Sequence, residues 1–204
     1  MSKAKERDMS AGNMEKTAVT ALDICYIAVF TAIITVMAQI SVPLPGGVPM
    51  TLQTLAVPLA AMILGTKRGT LSVIVYLLLG AAGVPVFAGF VGGIGKLFGM
   101  TGGFLFSFPL MALAAGLGVE LSRRIQGNAL KRSVPMWLGL IIGALINYAI
   151  GTIWFMFVAE AGLMYSLSAC VIPFIPTAIL KIILAGILGP ILKRALAKAG
   201  LLRG

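Results

Sequence analysis

Histidine is absent from this 204-residue chain, and acidic residues number only six. The first absence removes the commonest general base and metal ligand. The second leaves too few carboxylates to pair: Glu6, Asp8, Glu15 and Glu120 fall on one side of the apolar runs, and Asp23 and Glu160 near opposite ends. No catalytic constellation can be assembled from these residues, so an enzyme is not expected, nor is a metal or other cofactor. The two cysteines, Cys25 and Cys170, lie in separate apolar runs that the topology puts near opposite membrane faces, which predicts free thiols. A phosphate-binding loop is missing as well. Gly95-Lys96 is followed by neither Ser nor Thr, and position 90 is Phe where the motif needs Gly. The chain therefore carries no ATPase motor of its own.

Charge is scarce overall, at 11% of residues, where a soluble domain has about 25%. What replaces it is apolar: 59% of residues are hydrophobic, more than a water-facing fold of this length can bury. The net charge of +10 does not point to nucleic acid, because the basic residues sit at the ends of apolar runs and not beside aromatics on a polar face. The bilayer is the natural solvent.

A spanning helix needs about 20 mostly apolar residues. Six runs qualify: Thr20–Ile40, Met50–Thr66, Gly69–Gly83, Gly103–Ser122, Val134–Ala159 and Val171–Lys198. The second and third are short, and Pro58 removes a backbone hydrogen bond from the second. Lys3, Lys5, Arg7 and Lys16 precede the first run. Lys67 and Arg68 lie between the second and third, and Arg123, Arg124, Lys131 and Arg132 between the fourth and fifth. Lys193, Arg194, Lys198 and Arg203 end the chain. Cytoplasmic loops carry the excess of Lys and Arg, so six spans place fourteen of the sixteen cations inside, with both termini cytoplasmic. This predicts an all-α integral membrane protein, multi-pass in a cell membrane. Residues 1–19 form a disordered cytoplasmic tail, 20–199 one membrane domain, and 200–204 a second short tail. The first run is long enough to span and is read as retained, not as a cleaved signal peptide.

Two lysines break the pattern. Lys181 lies inside the sixth run, twelve residues before Lys193, roughly 18 Å from the basic end at 1.5 Å per residue. A lone lysine near the bilayer centre costs roughly 2.5–3.5 kcal/mol. An anionic ligand in a polar cavity offsets that cost; a structural partner such as Glu160, or a neutral amine, is the alternative. Lys96 sits in Val84–Gly103, a stretch with seven glycines that disfavours helix yet is apolar. Non-helical backbone at membrane depth is tolerated where it lines a cavity or is buried in protein, which makes this stretch, with Gly92 and Gly93, a candidate site. A compact outer loop with glycine turns is the other reading.

The connection Ser41–Thr54 holds three prolines, two glycines and no charge, and reads as a rigid lid over the outer face. Thr51, Gln53 and Thr54 then supply neutral donors and acceptors, either to cap the second helix or to face a ligand.

Several blocks together resemble the BioY family. They are Pro43-Leu44-Pro45-Gly46-Gly47-Val48-Pro49-Met50-Thr51-Leu52-Gln53-Thr54, Leu64-Gly65-Thr66-Lys67-Arg68-Gly69, Tyr76-Leu77-Leu78-Leu79-Gly80, Gly83-Val84-Pro85-Val86-Phe87-Ala88-Gly89, Gly92-Gly93 to Thr101-Gly102-Gly103-Phe104, Ile175-Pro176 and Lys181. They run in order over roughly residues 20–195. The resemblance implies the biotin-binding S component of an energy-coupling factor (ECF) transporter of a prokaryote. With it come six helices, a site near the outer face, a transmembrane coupling protein and two ATPase subunits as partners, and transport by toppling in the membrane. It also implies docking on the coupling protein through an Ala-x-x-x-Ala motif, supplied by Ala28 and Ala32; small residues one turn apart allow close helix approach. The chain departs from the family pattern at Ala178, where members often carry Asp, and at Val91 and Leu105, where some carry Asn and Arg.

Biotin, or a close analogue such as dethiobiotin, presents a carboxylate, an apolar ring and a ureido group. For the carboxylate, Lys181 or Lys96 is available. For the ureido group the candidates are Gln53, Thr51, Asn147, Tyr148 and the backbone of the glycine stretch. For the ring they are Phe87, Phe90, Trp154 and Phe174, each of which packs against lipid or core in the alternative reading. Asn147, mid-span, serves equally as a helix–helix hydrogen bond. The rival class is a pore or self-sufficient secondary transporter for a small organic anion. That class calls for inverted repeats and a coupling-ion site, and neither is evident.

Overall fold

The structure is a computed structural model that describes residues 20–201. The tail expected over residues 1–19, and residues 202–204, lie outside the described residues. Helix α1 (Ala21–Gln39) opens with a capping box: Asp23 N–H donates to Thr20 Oγ1 and Thr20 N–H to Asp23 Oδ2. The chain then makes a two-residue antiparallel ladder, β1 (Ser41–Val42) on β2 (Met50–Thr51), around the Pro/Gly-rich strap. This ladder is an addition to the all-helical expectation. It is possible because no proline stands at the four ladder positions.

Helices α2 (Gln53–Leu64) and α3 (Thr66–Ala81) follow, joined by Gly65 alone. Gly65 has φ +88°, a left-handed conformation that reverses the chain in one residue. A single helical turn, α4 (Ile94–Leu97), interrupts the glycine-rich segment. The expectation of no helix there fails for this turn. It begins after Gly93 at φ +99° and closes on Phe98, so the glycines flank it as stops, with only Gly95 inside. Helices α5 (Gly102–Arg124) and α6 (Ala129–Val158) form a long pair. The chain ends in α7 (Leu163–Cys170), a 3₁₀ turn (Ile172–Phe174) and α8 (Ile175–Lys198).

Ala21–Gln39, Gly102–Arg124, Leu130–Val158 and the run Leu163–Lys198 are long and apolar enough to cross a membrane. Helix α2 is shorter than the run expected from Met50, because Met50 and Thr51 are spent on the ladder. At 1.5 Å per residue it spans about 18 Å, against a hydrocarbon core of about 30 Å. Its setting explains the tolerance. Ten of its twelve residues are buried, against α1, α3, α5 and α8, so its ends meet protein and not lipid. The outward faces of the surrounding helices are apolar, as at Val36, Leu78, Leu145 and Phe157.

Close packing of α5 on α6 rests on facing glycines. A Cβ on Gly118 would lie 2.6 Å from the Pro135 carbonyl oxygen and 3.0 Å from Gly139 Cα; one on Gly139 would lie 2.5 Å from the Ala114 carbonyl oxygen. Without a hydrophobic drive between helices in lipid, this backbone contact is what association has to work with. Cys25 and Cys170 are free thiols, as expected.

Candidate functional site

A cleft of about 590 Å³, counted out to its open mouth, lies at the end of the bundle where α2 and α8 begin and α6 nears its close. Its position follows from the strap: β2 delivers Thr51 to the head of α2, so Thr51, Gln53 and Thr54 line one wall.

Lys181 forms the floor. It is 8% exposed and sits six residues into α8, about 9 Å along the helix. That is closer to the helix start than the run from Val171 implied, because Ile172–Phe174 is a separate 3₁₀ turn. Its Nζ donates to the Thr51 carbonyl oxygen at 2.6 Å and to Thr54 Oγ1 at 3.1 Å. Pairing with Glu160 is not seen: among the described residues the recorded ion pair is Arg68–Asp23 at 2.7 Å. An ammonium has three donors, and two are used, both on neutral oxygens. Lys181 is also among the residues that line the cleft.

A hydrogen-bond chain fixes the polar wall. Thr51 Oγ1 donates to Gln53 Oε1 at 3.0 Å, and Gln53 Nε2 donates to the Tyr76 hydroxyl. Thr51 Oγ1 also accepts the Gln53 N–H at 3.3 Å, while the N-cap of α2 is Leu52 and carries no side-chain cap. Tyr76 is fully buried and meets Phe87 edge to face, centroids 5.5 Å apart. Across the cleft Asn147 Nδ2 donates to the Phe104 carbonyl oxygen at 3.0 Å and to Ser107 Oγ at 2.7 Å. The helix–helix hydrogen bond expected of Asn147 is present. Its amide N–H groups bind α5 to α6, and Asn147 is also a lining residue of the cleft. Pro58 and Pro109 carry no N–H, so the carbonyls of Thr54 and Leu105, both at lining positions, lack their i+4 donors.

Phe87, Phe104, Phe108, Tyr148 and Phe174 supply apolar walls, with Tyr148 6.4 Å from both Phe104 and Phe174. Lys96, half-buried on α4, stands at the rim. The cleft thus gathers Lys181, Lys96, Gln53, Thr51, Phe87, Asn147 and Tyr148 from the residues picked out in the sequence.

Gly92, Gly93 and Trp154 are not in its lining. Gly93 N–H donates to the Gly80 carbonyl oxygen at 2.7 Å, and a Cβ on Gly92 would meet the Val84 carbonyl oxygen at 2.3 Å, so both fold the loop. Trp154 Nε1 donates to the Gly99 carbonyl oxygen at 3.0 Å and its ring packs on Phe98 and Phe106, pinning the glycine segment to α6. Phe90 is exposed and points away. The sequence reading missed Thr101, Phe104, Leu105 and Phe108. Ser107, a buried hydroxyl in an apolar stretch, marks the inward face of α5 on which Phe104, Phe108 and Met111 recur at helical spacing. Leu105, noted only as a departure, stands in the lining. Ala28 and Ala32 are exposed on one stripe of α1.

A family model described as the BioY family matches residues 11–198. The chain belongs to the BioY family. Curated BioY relatives agree. Biotin transporter BioY2 of Lactococcus lactis subsp. cremoris is 38% identical over 171 residues, covering 84% of this chain and 90% of its own. Biotin transporter BioY of Thermotoga maritima is 41% identical over 167 residues, covering 81% and 92%. A crystal structure described as the S-component for biotin from an ECF-type ABC transporter matches with a TM-score of 0.74 at 27% identity, over 84% of this chain and 90% of that one. The fold of that S-component is therefore shared over most of this chain.

Proposed function

We propose that this chain is the substrate-binding membrane subunit of an ECF-type vitamin uptake transporter and that it holds biotin in the cleft above Lys181. The observation that carries this is a buried ammonium with no acidic partner among the described residues, at the floor of an aromatic-walled cleft. The biotin carboxylate takes the third Lys181 proton in a charge-assisted bond. The ring lies among Phe87, Phe104, Tyr148 and Phe174. The ureido oxygen and N–H groups meet Gln53, the Asn147 Oδ1 and the carbonyls that Pro58 and Pro109 leave without donors. Lys181 is preferred over Lys96 for the carboxylate because its charge is the one withdrawn from water; Lys96 at the rim guides the anion inward.

Six helices, α1, α2, α3, α5, α6 and α8, cross a prokaryotic plasma membrane, with both termini in the cytoplasm. Support comes from the cations, which collect at the end of the bundle where α2 meets α3 and α5 meets α6. The cleft then opens outward. Energy comes from a coupling protein and two ATPase subunits, since the chain has no nucleotide motif. The stripe of Ala28 and Ala32 on α1 is the docking face for the coupling protein. Calorimetric titration of the purified chain with biotin and dethiobiotin tests the ligand: saturable one-to-one binding that is lost with the uncharged methyl ester supports the reading, and no heat with biotin refutes it.

A further inference from the structure

At the opposite end of the bundle lies a second, larger concavity of about 1750 Å³, counted out to its open mouth. It is bounded by the C-terminal turns of α2, α5 and α8 and the N-terminal turns of α3 and α6. Five cations line it: Arg68, Arg123, Arg132, Lys193 and Arg194. Arg68 is neutralised by Asp23 at 2.7 Å. Lys193 donates to the Met62 carbonyl oxygen at 3.0 Å, closing the C-terminus of α2. Glu120 is itself held by Thr66, through its N–H and its hydroxyl. Arg123, Arg132 and Arg194 have no carboxylate within salt-bridge distance among the described residues.

The preference for cations on the cytoplasmic side accounts for their being at this end. It does not account for their converging on one concavity, where like charges repel. Arg123 and Arg194 sit near helix C-termini, where a cation is favoured. Arg132 sits in the first turn of α6, where the helix dipole disfavours it. An anion shared among the three guanidiniums reverses that cost, and the planar fork matches phosphate oxygens in bidentate fashion. The rest of the wall is apolar, with Ile63, Leu64, Val119, Met136 and Pro190 among its residues. A basic floor beside an apolar wall suits a molecule that has both a phosphate and acyl chains.

We propose that this concavity seats the headgroup phosphate of an anionic phospholipid, gripped by Arg123, Arg132 and Arg194. The site is independent of the biotin cleft and stands or falls apart from it. Basic pockets between helices on the cytoplasmic side are suited to such headgroups. The bound lipid neutralises the end of the bundle at which α2, α5 and α8 terminate and ties α6 to α8.

The full-length chain, purified in mild detergent and stripped of lipid, is titrated with dioleoyl phosphatidylglycerol or dioleoyl phosphatidylcholine and read by native mass spectrometry. The expected result is one phosphatidylglycerol retained at least tenfold more tightly than phosphatidylcholine. The variant Arg123→Gln/Arg132→Gln/Arg194→Gln lowers that affinity about tenfold or more. The control Lys67→Gln/Lys131→Gln/Lys198→Gln, which removes equal charge outside the lining, leaves it within about twofold. All six side chains are exposed, so the fold is not at risk. Equal retention of the two lipids, equal losses in both triple variants, or full displacement by inorganic phosphate alone would overturn the assignment, the last in favour of a free-phosphate site.

Discussion

Replacing Lys181 with Met separates the charge from the shape of the site. In wild type the ammonium is buried and donates to Thr51 and Thr54. A hydrogen bond to a charged group contributes about 1.5–3 kcal/mol, and each 1.4 kcal/mol is tenfold in affinity. Lys181→Met is therefore expected to raise the biotin Kd about 10- to 150-fold. The free protein responds differently. Removing a buried cation relieves roughly 2.5–3.5 kcal/mol on translocon scales, while leaving the Thr51 carbonyl without its donor costs about 1–3 kcal/mol. The two nearly cancel, so the melting temperature without ligand stays within a few degrees of wild type or rises. Titration calorimetry and thermal melts in the same detergent read both quantities. Esterified biotin completes a double-mutant cycle: wild type loses affinity on esterification, the variant does not. Wild-type affinity in the variant, or equal losses for acid and ester, would refute the assignment of the carboxylate to Lys181.

Three further substitutions probe the frame around the cleft. Asn147→Leu strips donors from the Phe104 carbonyl and Ser107 Oγ; it is expected to cost about 1–3 kcal/mol of stability and to weaken ligand binding. Ser107→Ala in that background should add less than it does alone, as denaturant titrations will show. Gly80→Ala places a Cβ 2.0–2.5 Å from the Phe87 ring. It should displace that wall, costing about 1–3 kcal/mol and about tenfold in biotin affinity, whereas an unmoved Kd would take Phe87 out of the site. Ala28→Trp/Ala32→Trp adds bulk only to an exposed stripe, so biotin binding is unchanged while the coupling protein no longer co-purifies; retained co-purification would contradict the docking face.

The helices were legible because apolar runs stand out against so little charge, but α3 begins at Thr66 and α6 at Ala129, ahead of the expected Gly69 and Val134, and α7 was not among the expected runs. The Met50 run lost its first residues to the ladder with Ser41–Val42, a pairing between segments that no run length encodes. The Val171 run lost its first turn to a 3₁₀ segment around Pro173. Lys181 was legible for the same reason it is costly, as a charge inside an apolar run. Phe104 and Phe108 were not, because hydrophobic residues fill both the lipid and the inner faces of α5 and type alone does not give direction. Trp154 was expected as an apolar wall because ring type alone does not give direction; its ring packs on Phe98 and Phe106 instead, with Nε1 on the Gly99 carbonyl. The small-residue contact of Gly118 with Gly139 joins positions on two helices, and a glycine pair across helices has no spacing to recognise.

A crystal structure of the chain with biotin bound tests the central claim most directly. A carboxylate oxygen within hydrogen-bonding distance of Lys181 Nζ, with the ureido group between Gln53 and Asn147 and the ring against Tyr148 and Phe174, is the predicted result. Biotin held elsewhere, or lying in the cleft with its carboxylate turned away and the ammonium bonded only to Thr51 and Thr54, would contradict it.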